Sequence, residues 1–181
     1  AWAVANPEDF WSAVWDFCEV VAAARGADVL LDAHKLPGAR WFPQARLNFA
    51  ENLLRHRDEQ PALVSLLENG RRRQLSYTQL CDQVAALASS LRTEGVVAGD
   101  RVVGFLPNVA EAVIAMLATT SIGAVWSSCS PDFGVDGVVD RFGQIEPKVL
   151  FAADGYFYNG KTCDSLQRLA EIVREIRSIE K

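Results

Sequence analysis

Residues 99–132 run GDRVVGFLPNVAEAVIAMLATTSIGAVWSSCSPD, a pattern of strand, tight turn, helix and strand in one unbroken unit. Val102, Val103, Phe105 and Leu106 form a short apolar run that Pro107 ends, as in a parallel strand covered on both faces. Asn108 is placed to cap the next helix, with Glu111 three residues on to complete a capping box. Val109, Ala112, Val113, Met116, Leu117 and Ile122 give that helix its apolar side, and Gly123 closes it. Ala124, Val125 and Trp126 start a second strand. Such a unit belongs to an open α/β sheet, in which ligands sit beyond the carboxyl ends of the strands. The turn at Pro107–Asn108 and the loop Ser127–Asp132 are therefore the places where function is expected.

Working outward, Pro61 to Tyr77 is a hairpin: Ala62–Leu67 and Arg72–Leu75 flank Asn69-Gly70, a strong short-range turn signal. Ser76 and Gln79 cap a helix that carries Leu80, Val84, Leu87, Ala88 and Leu91 on one face and ends at Gly95. On the other side, 134–145 is expected to be helical through Val135, Val138, Val139 and Phe142, and 148–152 is a short buried strand. Asp164 and Gln167 are placed to cap a last helix with Leu166, Leu169, Ile172, Val173, Ile176 and Ile179. Near the start, Asn6-Pro7-Glu8-Asp9 opens a helix with apolar positions Phe10, Val14, Phe17, Cys18 and Val21, and Gly26 follows its end. Trp11 and Trp15 widen that face, which predicts docking of the segment onto a larger body. Residues 27–47, with Pro37, Gly38 and Pro43, form a wandering connector, and Asn48 with Glu51 caps a short helix to about residue 57. The fold class is α/β: part of a mainly parallel sheet flanked by helices, with an N-terminal helical extension (1–60), a β-hairpin, and a sheet-bearing part (61–181).

No strand follows the last helix, although alternating strands and helices call for one. The expectation is that residues 1–181 are cut from a larger protein. Ile172, Val173, Ile176 and Ile179 would then expose apolar surface, with self-association through the truncated edge.

Composition narrows the function classes. The chain has 181 residues, enough for a sizeable core, and its hydrophobic share of 50% with 23% charged is that of a soluble globular protein. A net charge of −5 lacks the basic stripe that nucleic acid requires. The one basic run, Arg71-Arg72-Arg73, fits the solvated strand of a hairpin. No apolar run approaches the ~20 residues of a membrane helix, so neither a nucleic-acid nor a membrane partner is expected. Cys18, Cys81, Cys129 and Cys163 form no CxxC pair, and His34 and His56 are the only histidines, so no metal site is expected and reduced thiols in a cytoplasmic enzyme are the default.

The sequence resembles a known family at several separate points, in the family's order. Residues 99–134 resemble the early core of the adenylate-forming acyl-CoA synthetases. EDFWSAVWDFC (8–18) and WFPQARLNFAENLLR (41–55) are similar to the amino-terminal extension of the acetyl-CoA synthetase branch. Within it, Trp126 to Gly134 and FAADGYFYNGK (151–161) most resemble the acetoacetyl-CoA synthetases. The resemblance implies an intact enzyme that joins acetoacetate to ATP as an acyl-adenylate and passes the acyl group to coenzyme A, with Mg²⁺ as the ATP's companion. Acetate, propionate or another short acid is the first alternative substrate. A standalone, non-catalytic binding or regulatory domain is the alternative of another class.

The residues themselves bound what this stretch can do. Adenylation needs a loop of backbone N–H groups and a cation for the triphosphate. No GxxxxGK[ST] and no GxGxxG is present. The family's phosphate loop, adenine motif and catalytic lysine lie further downstream, so no catalytic residue is assigned here. None of these cofactors is expected to bind tightly to residues 1–181 alone. Ser127–Asp132 has neither a GxSxG elbow nor a placed histidine base, so capping and turn roles are favoured over a nucleophile. Tyr156–Lys161 follows a strand end, and Asn159-Gly160 can turn sharply to send Lys161 toward the cap of the last helix. By the resemblance, Tyr158, Asn159, Gly160 and Lys161 correspond to an Arg-rich loop that meets the 3′-phosphorylated end of coenzyme A. Tyr158 lacks the guanidinium fork of that loop's arginine. An exposed turn with a solvated lysine stands as the alternative.

Overall fold

The computed structural model describes residues 2–181. The chain divides into two units, one ending at Leu53 and the other spanning Leu54–Lys181. The first holds α1 (Trp2–Ala5), α2 (Pro7–Phe17), β1 (Leu30–Leu31), β2 (Arg40–Trp41) and α3 (Phe49–Leu53). Pro7 sits at the start of α2 with Glu8 and Asp9 in its first turn, where the helix dipole favours acids. Asn6 does not cap it, because its amide donates to the Trp2 carbonyl instead (3.2 Å). The helix stops at Phe17, short of Val21, because Glu19 takes a left-handed φ of 49° and Val20 N–H returns to the Trp15 carbonyl. Trp15 packs on Phe42 and Trp11 on Trp41, with ring centroids 4.7 and 5.8 Å apart. Asn48 accepts from Glu51 N–H as expected, but α3 ends at Leu53 rather than near residue 57.

The second unit begins with the hairpin of β3 (Pro61–Leu66) and β4 (Arg72–Ser76), turning through Asn69-Gly70. The predicted capping box forms in full at α4 (Tyr77–Thr93): Gln79 N–H donates to Ser76 Oγ and Ser76 N–H to Gln79 Oε1. Leu80, Cys81, Val84, Ala88 and Leu91 are its buried residues. Next come β5 (Arg101–Phe105), α5 (Ala110–Ser121), β6 (Val125–Cys129), α6 (Val135–Gly143) and β7 (Val149–Ala152). The three strands pair in parallel in the order β6-β5-β7, so β5 is central and hydrogen-bonded on both edges. The chain closes with the hairpin of β8 (Gly155–Tyr158) and β9 (Lys161–Asp164), then α7 (Leu166–Glu175).

Alternation along β5 builds two layers. Val103 and Phe105 face a core completed by Cys129, Val138, Phe142, Ile172 and Ile176. At Gly104 a Cβ would stand 2.7 Å from the Trp126 indole. The glycine thus makes room for that ring, whose centroid lies 6.3 Å from that of Phe151 on β7. The buried residues of α5 are Ala110, Ile114, Ala115, Leu117, Ala118 and Thr119; of the expected face Leu117 is among them, whereas Val109, Ala112, Val113, Met116 and Ile122 are half-buried. This helix is apolar nearly all round, so periodicity alone selects no unique face. Its cap also differs: Val109 takes the N-cap position without a side-chain bond, and the Glu111 carboxylate pairs with Arg73 of β4.

The end of the chain departs most from expectation. Ile172 and Ile176 are buried, and Ile179 packs against the same core, leaving only Val173 exposed among the four isoleucine and valine positions singled out. Ile172 and Ile176 therefore do not supply the exposed helical surface expected of them, whereas Val173 does. α7 stops at Glu175, and the backbone then runs along β7: Glu180 N–H donates to the Lys148 carbonyl (2.9 Å) and Leu150 N–H to the Lys181 carbonyl (3.0 Å). The ladder position that the alternation calls for is thus entered by residues 180 and 181.

Asp100 secures the turn into β5. Its carboxylate accepts from Val97 N–H at 2.9 Å and lies 3.4 Å from Lys148 Nζ, which also donates to the Gly95 carbonyl. The Val97 N–H bond, reinforced by Lys148 against the opposing cost of burial, holds the Asp100 carboxyl below its ordinary value. A depressed carboxyl contributes stability that is present above the unfolded-state value of about 4 and is lost as pH falls through the folded-state value beneath it. Asp100→Asn is expected to lower stability at pH 7 by about 1 kcal/mol and to flatten the loss of stability between about pH 5 and pH 2. Denaturant unfolding of both proteins across that range checks it; parallel pH profiles would refute the assignment.

Candidate functional site

The strand order defines a crevice at one edge of the sheet. β5 leads through α5 to β6 on one side, and the chain then crosses through α6 to β7 on the other. Connections leaving in opposite directions open a crevice at the carboxyl ends of the two strands where the order reverses, here β5 and β7. A cavity of about 220 Å³ lies there, lined by Pro107, Asn108 and Val109 after β5 and by Gly155, Tyr156 and Phe157 after β7. Leu66, Leu67 and Glu68 of the first hairpin form its third wall. Pro107–Asn108 thus lies at the carboxyl end of β5 beside this cavity.

Ser127–Asp132 is only partly a loop. Ser127, Ser128 and Cys129 are the last residues of β6, paired with Val103, Gly104 and Phe105. β6 lies at the sheet edge, which admits polar residues that a central strand would exclude, and this hid the strand's true end. Ser130, Pro131 and Asp132 form the turn that follows. Cys129 is buried in the core, and that burial pushes its thiol up, partly offset by Arg141. A buried thiol held in its protonated form is a poor nucleophile. In the native protein Cys129 is expected to resist alkylation at pH 8 while the exposed Cys18 reacts. Peptide mapping after timed labelling checks this, and labelling of both at equal rates would contradict it.

Tyr158, Asn159, Gly160 and Lys161 come together at the tip of the β8–β9 hairpin, where Tyr158 and Lys161 are cross-strand partners. Asn159 (φ 50°) and Gly160 (φ 70°) supply the two successive left-handed residues of a type I′ turn. The sequence carried this signal, an Asn-Gly between two short runs, as plainly as at Asn69-Gly70. The hairpin also corrects the direction expected for Lys161. Asp164, paired with Gly155 at the hairpin base, leads into α7, and three residues of strand put Lys161 roughly 10 Å from that end. At the helix start, Asp164 Oδ1 accepts from Leu166 N–H at 2.7 Å, whereas Gln167 turns to Glu171, so no reciprocal box forms.

Lys161 is exposed and joins none of the ion pairs among the described residues. Tyr158 beside it is 61% exposed. Glu68 reaches the turn, its carboxylate 3.5 Å from Gly160 N. One residue that sequence reasoning missed also belongs here: Arg168, in the first turn of α7, donates to the Pro131 carbonyl (2.7 Å) and approaches the Tyr156 hydroxyl (3.4 Å). No local pattern announces it, because its partners are 37 and 12 residues away. Among the described residues, no group of three or more His, Cys, Asp and Glu side chains is placed to hold a metal ion, and no helix is long and apolar enough to cross a membrane.

A family model described as AMP-binding enzyme matches residues 49–180. The chain belongs to the AMP-binding enzymes. A second model, described as the acetyl-coenzyme A synthetase N-terminus, matches residues 1–53 of this AMP-binding chain, the same span as the first structural unit. The acetoacetyl-coenzyme A synthetase of Rhizobium meliloti (strain 1021) is 45% identical over 175 residues, covering 97% of this chain and 27% of its own length. The acetoacetyl-CoA synthetase of Rattus norvegicus is 44% identical over 184 residues, covering 99% and 27%. The solved structure of acetoacetyl-CoA synthetase from Streptomyces lividans superposes with a TM-score of 0.93 at 46% identity, across 99% of this chain and 28% of that one. The chain thus spans about a quarter of the length of the relatives it matches.

Proposed function

We propose that these residues serve as the amino-terminal part of an ATP-dependent acetoacetate–CoA ligase acting in the cytoplasm, with residues 61–181 forming the first part of its adenylation domain. The observation that carries this reading is similarity to acetoacetyl-CoA synthetases along nearly the whole chain, with one continuous superposition. The intact enzyme forms acetoacetyl-adenylate and pyrophosphate from acetoacetate and Mg²⁺-ATP, and the thiol of coenzyme A then displaces AMP. Dividing the reaction in this way lets the acyl carbon expel AMP instead of the hydroxide that a free carboxylate would have to lose.

This stretch contributes walls and one ligand contact rather than the adenylating machinery. It has no glycine-rich triphosphate loop, so its residues do not fit ATP and no step is routed through them. Residues 1–181 alone are therefore expected to give no acetoacetate-dependent exchange of labelled pyrophosphate into ATP. Exchange that co-purifies with the 181-residue protein would overturn that expectation.

The coenzyme A contact is assigned to Tyr158, Asn159, Gly160 and Lys161. An unpaired, exposed cation on a rigid two-residue turn, next to an exposed aromatic ring, suits a phosphorylated nucleoside. Lys161 would meet the 3′-phosphate, with Asn159-Gly160 fixing its position. An exposed contact of this kind contributes about 1 kcal/mol. Lys161→Ala in the full-length enzyme is expected to raise the KM for coenzyme A about fivefold and leave pyrophosphate exchange unchanged. Wild type should prefer coenzyme A over dephospho-coenzyme A, and the variant should lose that preference. Equal discrimination by the two enzymes would make Lys161 a solvated turn residue.

A further inference from the structure

Arg168 occupies an unfavourable place for a cation. It lies in the first turn of α7, where unsatisfied N–H groups and the helix dipole present positive potential. No carboxylate pairs with it among the described ion pairs. Local preference therefore does not explain its position; tertiary partners do. Nη1 donates to the Pro131 carbonyl at 2.7 Å, and Nη2 lies 3.4 Å from both the Tyr156 hydroxyl and the Asp164 carbonyl. The guanidinium carbon stands 5.8 Å from the centre of the Tyr156 ring.

These partners belong to two separate segments of the carboxyl edge. Pro131, itself buried, sits in the turn after β6, whereas Tyr156 and Asp164 belong to the β8–β9 hairpin that carries Lys161 at its tip. A planar fork with fixed donor directions joins two such segments; an ammonium on a flexible stem does not hold them in one relative position. The hairpin is a two-stranded ribbon, and such ribbons are marginal without outside support.

We propose that Arg168 is a positioning residue for coenzyme A: by clamping the base of the β8–β9 hairpin to the Pro131 turn, it fixes where Lys161 stands. The inference rests on the assignment of Lys161 to the 3′-phosphate. Arg168 itself touches no ligand in this scheme. Its effect falls on thiol-substrate binding and not on the adenylation step that precedes it.

The test uses the full-length enzyme, with Lys161→Ala, Arg168→Lys and their double variant compared for pyrophosphate exchange, for KM and kcat with coenzyme A, and for discrimination against dephospho-coenzyme A. Arg168→Lys keeps the charge but loses the fork. It is expected to raise the KM for coenzyme A about three- to tenfold, with kcat and exchange unchanged and the preference over dephospho-coenzyme A reduced. The double variant should be no worse than Lys161→Ala alone, because both changes remove one contact. Tyr156→Phe, which deletes only the hydroxyl, should shift KM in the same direction by less. If Lys161→Ala acts as expected while Arg168→Lys leaves KM and discrimination at wild-type values, the clamp is refuted and the lysine assignment stands. Loss of exchange in Arg168→Lys, or additive effects in the double variant, likewise refutes positioning. If Lys161→Ala changes nothing, the lysine assignment fails and takes the clamp with it.

Discussion

Everything at the carboxyl edge of the sheet hangs from the two-sided pairing of β5. Its five residues pair with β6 on one edge, and four of them, Val102 to Phe105, pair with β7 on the other. A strand in that position has no freedom to slip: a shift of one residue would exchange Val103 and Phe105 for Val102 and Gly104 on the core face. The carboxyl ends of three strands are thereby set side by side. The turn at Pro107, the turn at Pro131 and the β8–β9 hairpin all depart from that line. Arg101 ties the opposite end, donating to the Ile145 and Glu146 carbonyls at 2.6 and 2.8 Å, so the entry to β7 is held to the entry to β5.

Gly104 shows how much a central strand constrains its neighbours. The Trp126 side chain stands too close to Gly104 to leave room for a Cβ, so β6 and β7 exchange contacts over the middle strand as well as through it. The second face is further shaped by a groove of about 490 Å³ that includes Leu87, Leu106, Ile114 and Phe151. One face of the sheet is thus filled by α6 and α7, and the other retains open apolar space.

Signals that act over a few residues were legible in the sequence. The Ser76–Gln79 box, the Asn69-Gly70 turn and the strand–helix–strand order of 99–132 all involve partners within a few residues or a plain hydrophobic pattern. What escaped was decided at a distance. Glu111 is drawn from its own helix cap by Arg73, 38 residues away. The buried side of α5 is chosen by what it packs against, since its sequence is apolar nearly all round. Ile172 and Ile176 looked like exposed apolar surface only because the core that receives them, from Val103 to Phe142, is assembled from elsewhere in the chain. The Tyr158–Lys161 tip is a different case, because its Asn-Gly was visible and its flanking strands are only four residues each. The turn follows from Asn159-Gly160, whereas the direction of Lys161 is set by the pairing of β8 with β9.

The pairing of Glu180 and Lys181 with β7 has a consequence for how the chain acquires its structure during synthesis. After β6, each addition to the sheet is made on the same side: β7 joins β5, and residues 180–181 join β7. Domains fold as their N-terminal parts emerge first. Here β7 skips its predecessor β6 and pairs with the edge of β5 left open on the other side, and residues 180–181 then meet the edge that β7 has just built. The β5 edge that receives β7 therefore stays open while α5, β6 and α6 are made, and that is the interval in which it can meet the strand of another chain.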